Sequence, residues 1–285
     1  MKPVLPDGKE VDGNLFGRQV IAKGILSVVL STAFALPAPV VIIVGLKSET
    51  YPQSFKYSLE SDEVNRTRSF LIASPSSLDL VVGEKGVSRL RIEATSTTAL
   101  PGYSYDVTNS IDACIRVYES IKESSYSYVD KFFGDSNVSA TGFTAVSKIG
   151  RLPETSLVDI DVYYSTNRFR NALEEIVRDA TDITNTTVNY TIKDRKPLVR
   201  YSLKDAEAVR YIDILKDTIT IFKKVLSGLN TPGYVFRCMG KPVIVNGCGN
   251  PENIGLPNER ISVDEMKVFA EILKRYAEIN DKEYI

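Results

Sequence analysis

The sequence predicts an α+β fold, in which an antiparallel, sandwich- or barrel-like sheet carries about four flanking helices and an extended N-terminal arm. Three observations lead there. Runs that alternate apolar and polar residues, such as VSRLRIEA at residues 87–94 and SLVDIDVYY at 156–164, read as half-buried strands. Stretches with apolar residues three and four apart read as amphipathic helices. The two kinds are interspersed without a regular βαβ rhythm, which indicates α+β.

Residues 1–18 are polar and rich in Gly and Pro, and read as the arm. From Gly24 to Leu46 no residue is charged. Pro37 and Pro39 divide this region into two apolar segments, residues 19–34 and 40–46. An uncharged β-rich stretch left open invites aggregation and must be covered. The cover is the chain's own domain or a neighbouring subunit, and Val29, Leu30, Phe34, Val40, Val41, Ile42, Ile43 and Val44 are the candidate subunit interface. Residues 1–50 read as the arm and apolar segment, and residues 51–285 as one body.

Within the body, residues 54–59, 66–73, 78–82 and 87–94 read as strands. A helix follows over 110–124, capped by Asn109 or Ser110, with Ile111, Cys114, Ile115, Tyr118 and Ile121 on its apolar face. Residues 124–150 read as loops and a hairpin, 156–164 as a strand, and 167–180 as a helix with Phe169, Leu173, Ile176 and Val177 inward. Residues 184–193 and 198–203 read as two strands around the charged turn Asp194, Arg195, Lys196, Pro197. Residues 205–226 predict the longest helix, stopped at Gly228, and 234–238 and 243–245 two short strands. A helix over 262–277 closes the chain, with Ser262 and Glu265 as its capping box.

The composition excludes much chemistry. There is no His and no Trp, and 35 basic residues face 36 acidic ones. Without His there is no Ser-His-Asp triad and no His-bearing zinc, iron or haem site. Balanced charge argues against specific nucleic-acid recognition. Cys114, Cys238 and Cys248 are odd in number and far apart, which is no disulfide framework. Gly247, Cys248 and Gly249 lack the third glycine of a dinucleotide fingerprint and read as a surface loop. Asp159 and Asp161 share one face of a strand, and such a pair can hold Mg²⁺ or Mn²⁺, but a further carboxylate would be needed and none is nominated; the favoured reading is the solvated face of an amphipathic strand, with Val158, Ile160 and Val162 toward the core. No cofactor is nominated.

An α+β chain with many Tyr- and Ser/Thr-rich strands, an apolar segment needing cover and no catalytic set has the make-up of an assembly subunit. In general character it resembles the virion structural proteins of tailed phages, most closely the tube protein of a contractile tail. The resemblance implies a non-enzymatic subunit that forms stacked rings with itself, with residues 19–46 as a candidate inter-subunit hairpin, and contacts other virion proteins, without nucleic-acid or membrane partners. It also implies location in the virion after assembly in the host cytoplasm. The alternatives are a membrane-anchored or cell-surface protein using the stretch from Gly24 to Leu46, and a carboxylate or metal-dependent enzyme using Asp159 and Asp161.

Overall fold

The computed structural model describes residues 9–11, 13–16, 19–33, 42–43, 60–103, 109–182 and 186–281. The chain falls into two compact units: unit 1 is Met1–Glu84 with Arg200–Ile285, and unit 2 is the inserted Lys85–Val199.

Unit 2 is built from β5 (Gly86–Thr95), α3 (Ser110–Ser125), β6 (Asn137–Val146), β7 (Thr155–Tyr164), α4 (Asn167–Asp182) and β8 (Thr187–Lys196). The sheet is antiparallel throughout, in the order β6-β7-β5-β8. This is the split βαβ arrangement of ferredoxin-like units. The alternation read from sequence sets its two faces. Leu90, Ile92, Val158, Ile160 and Val162 point inward against Ala113, Cys114, Val117 and Ile121 of α3 and Phe169, Leu173 and Val177 of α4. Asn109 caps α3 as expected, its side chain accepting from the Ile111 N–H. The buried face of α3 is turned from the expected one, since Ile115 lies outward and Ala113 and Val117 lie inward.

The other face is charged and paired. Arg89 stands opposite Asp161 and Arg91 opposite Asp159 in the β5–β7 register. Each guanidinium grips its carboxylate through two bonds, 2.5 and 2.6 Å for Arg89 and 2.8 and 3.0 Å for Arg91. The candidate metal-holding pair is thus the neutralised, solvated face of an amphipathic strand.

Unit 1 holds two sheets. β1 (Lys9–Val11) and β2 (Asn14–Phe16) form a hairpin, and β2 pairs with β12 (Arg260–Ser262). The expected free arm is in this part a paired ribbon, turning where Gly13 takes φ +73°. The larger sheet runs β10 (Lys224–Ser227), β4 (Leu80–Glu84), β11 (Val243–Asn246), β3 (Phe70–Ala73). β3 is parallel to β11 and β10 to β4, while β11 and β4 are antiparallel. β4 and β11 are buried along their whole length, which their near-continuous apolar runs require.

The helices of unit 1 are α1 (Val20–Ala33), α2 (Asp62–Arg66), α5 (Ala206–Thr218), α6 (Gly233–Cys238) and α7 (Val263–Asp281). α1 packs on α7, which also packs on α5. Val20, Ile21, Gly24, Ile25, Val28 and Thr32 make its buried stripe, at helical spacing. Thr32 and Ser31 donate their hydroxyls to the Val28 carbonyl, so their polarity is met within the helix. The expected hairpin over this region is therefore corrected to a helix in its first half. Val29 is half-buried and Leu30 exposed on α1; Ile42 is exposed and Ile43 half-buried. Phe34, Val40, Val41 and Val44 lie outside the described residues, as does the strand expected at 54–59. Among the described residues no helix is long and apolar enough to cross a membrane.

Other expectations are corrected as well. The α+β class holds, but the sheets form no closed barrel, and seven helices occur among the described residues rather than about four. The helix expected over 205–226 stops at Thr218, where the β-branched residues Thr218, Ile219, Thr220 and Ile221 favour extended backbone, and β10 follows. Residues 234–238, expected as a strand, form α6, held by Phe236 stacked on Phe70 with ring centres 4.0 Å apart. β8 pairs with β5 and not with the strand after it, β9 (Val199–Arg200).

The Arg91 guanidinium, bonded to Asp159, holds that carboxyl below its ordinary value of 3.8. A depressed carboxyl contributes stability above the ordinary value and loses it as pH falls through the folded one. Asp159→Asn should therefore destabilise unit 2 at neutral pH, and the gap from wild type should close in acid. Urea unfolding across the acid limb measures both.

Candidate functional site

In open sheets with parallel strands, ligands bind in the crevice beyond the carboxyl ends of the strands. In unit 1 the paired ends of β3 and β11, Ala73 and Asn246, mark such an edge. Two loops leave it together, residues 74–79 and 247–259. They are sewn to each other: the N–H groups of Ser76 and Leu78 both donate to the Gly247 carbonyl, Ser77 N–H to the Gly249 carbonyl, and Gly247 N–H to the Ser76 hydroxyl oxygen. Asn246 is fully buried beneath them. Its amide donates to the Leu78 and Asp79 carbonyls and its oxygen accepts from the Tyr211 hydroxyl.

The approach is tight enough to dictate residue type. A Cβ on Gly247 would come within 3.0 Å of the Ser74 carbonyl carbon, and Gly249 adopts φ +91°. The expected surface loop is instead buried, with Cys248 fully enclosed and its thiol pushed up to about 12 by burial. The expectation here failed because the glycines serve close backbone contact.

Strained backbone collects at the same edge. The described non-glycine residues with positive φ are Gln19 (53°), Ser77 (53°) and Leu78 (65°). Ser77 and Leu78 belong to the first loop. Gln19 directly precedes α1, whose Ile21 lies against Gly249. Such outliers cost about 1–3 kcal/mol each and persist where the surroundings fix them, often at functional sites.

Two carboxylates fasten this edge. Glu259, almost wholly buried, accepts from the Ile21 N–H in the first turn of α1 at 3.1 Å and from the Gly255 N–H at 3.0 Å. Glu265 accepts from the Gly249 N–H at 2.8 Å. Half of the expected capping box therefore forms: Glu265 N–H donates to Ser262 Oγ, while the Glu265 side chain reaches the loop.

A second buried acid lies elsewhere in unit 1. Glu84 ends β4 with no exposure. Its Oε1 accepts from the Tyr201 hydroxyl (2.7 Å) and the Thr231 hydroxyl, and its Oε2 from the Thr231 N–H (3.3 Å). Gly233 N–H donates to Thr231 Oγ1, which orients that hydroxyl. Burial, then the charge of Glu84, pushes the Tyr201 hydroxyl well above its ordinary range. A Cβ on Gly233 would collide with the Tyr201 hydroxyl, so only glycine leaves room for the cluster.

Sequence reasoning nominated neither set. Its Asp159 and Asp161 lie in unit 2, bonded to arginines. Its three cysteines are free and separate: Cys114 and Cys248 are buried and Cys238 is exposed. One signal for Glu84 was on the page, a charge closing the apolar run LVVGE. Glu259 left none, because its partner Ile21 is 238 residues away.

No family model matches the chain, and no curated protein matches it in sequence. Its fold is found in solved structures. An aminopeptidase PepT from Bacillus cereus superposes with a TM-score of 0.72 at 13% identity, covering 95% of this chain and 75% of that one. A tripeptidase from Staphylococcus aureus gives 0.74 at 15%, covering 98% and 77%. Human carnosine dipeptidase 1 gives 0.70 at 15%, covering 96% and 77%.

These likenesses overturn the phage-tail reading. The fold is one solved in peptidases, and both units take part, so the resemblance to a tail tube, the ring-forming and virion partners and the virion location are all corrected. The expectation of a non-enzymatic subunit falls with them, since its ground was the absence of a familiar catalytic set. Shared composition misled, because Tyr-rich short strands and an uncharged apolar segment serve equally well in a helix-covered core.

Tyr201→Phe should remove a buried hydrogen bond to a charged group and cost about 1.5–3 kcal/mol in urea unfolding, whereas the exposed Tyr103→Phe should cost nothing measurable. Ellman's reagent should titrate one of the three thiols, Cys238, in the native protein and the other two only in denaturant.

Proposed function

We propose that this chain is a hydrolase of short peptides. The supporting observation is the fold, matched over 95–98% of the chain to an aminopeptidase, a tripeptidase and a dipeptidase. The strained carboxyl edge of β3 and β11 is the place that such a substrate would meet.

Amide hydrolysis needs an activated water, a group that accepts its proton and donors for the developing oxyanion. Two-metal sites supply these in aminopeptidases at large. The described residues do not fit such a centre. Catalytic zinc sites draw on imidazole, and the chain has no His. Among the described residues no three of Cys, Asp and Glu are grouped to hold a metal. No step is therefore drawn through a metal. What the described residues offer at the carboxyl edge is carboxylates and hydroxyls, the N–H groups of Ile21, Gly249 and Gly255 being already bonded to Glu259 and Glu265.

The test is a panel of di- and tripeptides incubated with the purified chain, with products read by mass spectrometry and binding by thermal shift. Cleavage of at least one class is the expected result. A chain that neither cleaves nor is stabilised by any peptide overturns the proposal.

A further inference from the structure

The donor set and the fold disagree, and the carboxyl edge of β3 and β11 carries two carboxylates that are bonded to backbone. Glu259 spans from the first turn of α1 to Gly255, and Glu265 from α7 to Gly249. Both carboxylates face backbone N–H groups, the partners that a hard cation would displace. Ile21, an apolar side chain with 1% exposure, occupies the inner side of the α1 turn at this edge, against Gly249. The thiol nearest in sequence, Cys248, is enclosed and stays protonated at neutral pH, because burial raises it to about 12. Cys238 lies on α6 and Cys114 in unit 2.

We infer that this chain keeps the peptidase fold without a tightly bound metal centre, and that Glu259 and Glu265 close the carboxyl edge of unit 1 by carboxylate–amide bonds instead. A carboxylate at a helix start is favoured by the N–H groups and dipole of the first turn. It also fixes α1 to the 247–259 loop without requiring an ion. The inference rests on the fold likeness behind the proposed function but not on the reaction.

The full chain, produced without a polyhistidine tag, is dialysed and its metal content measured by plasma mass spectrometry. Melting temperature is then followed with chelator, ZnCl₂ and MnCl₂. The expected result is metal far below stoichiometric and a melting temperature that none of the three additions raises or lowers. Glu259→Gln, whose amide nitrogen cannot accept from one of the two N–H groups, should lower it by about 4–8 °C; if that variant does not fold, Glu265→Ala, which removes the one acceptor of the Gly249 N–H, gives the smaller shift. Retention of a stoichiometric divalent ion, a drop with chelator, or a saturable rise with Zn²⁺ or Mn²⁺ overturns the inference, as does a Glu265→Ala variant as stable as wild type. The peptide panel run on the same samples separates the two claims. Cleavage in chelator upholds both, cleavage that needs a bound metal sinks only the inference, and metal-free protein that ignores every peptide sinks only the proposed function.

Discussion

The hydrogen bond from Tyr201 to Glu84 joins residues 117 apart and ties together the two points where the chain leaves and re-enters unit 1. Closing so long a loop costs conformational entropy, and each doubling of length adds only about 0.6 kcal/mol. The cost is met by backbone as well, since Tyr201 N–H donates to the Val82 carbonyl. Unit 2 meets the same demand on its own side. Its first and last strands are sheet neighbours, with Val87 opposite Lys196, so its ends emerge together. An insertion is tolerated when its ends are close in both bodies, and here both conditions are visible. Gly233 is part of this, because any side chain there would displace the tyrosine.

The carboxylates of the protein divide into two economies of charge. On the outer face of unit 2, Asp159 and Asp161 meet guanidinium groups and remain in contact with water, where such pairs stabilise little. In the interior of unit 1, Glu84 and Glu259 meet hydroxyls and amides, and removing one acceptor strands several donors at once. Buried polar networks of this kind matter more than their pairwise sum.

Unit 2 was largely legible in the sequence. Strands β5 and β7 and helices α3 and α4 declare themselves because each has one face in the core and one in water. Unit 1 was less so. β4 and β11 are buried on both faces and carry no alternation, and α1 has β-branched residues at helical spacing, so its apolar run reads equally as strand. The turn of α3 by one position arose because Ala113 and Val117 are smaller than Ile115 and lost the comparison on hydrophobicity alone. At the carboxyl edge the decisive contacts run between residues some 170 to 240 positions apart, as Ser76 to Gly247 and Ile21 to Glu259, and no local pattern encodes them. Asp159 and Asp161 attracted notice as a pair, whereas their partners Arg89 and Arg91 stand on another strand with the same alternation.

The order of synthesis gives the interrupted layout of unit 1 a further meaning. Unit 2 is continuous in sequence and has its whole core once Val199 is made. Unit 1 cannot form until β11, β12 and α7 arrive, and α1, whose apolar stripe rests on α7, is made some 230 residues earlier (Ala33 to Val263). At about 5–20 residues per second this interval is roughly 10–50 s. Throughout it the apolar stripe of α1 waits while unit 2 already has its core. The nascent chain therefore carries the apolar stripe of α1 uncovered until α7 is made.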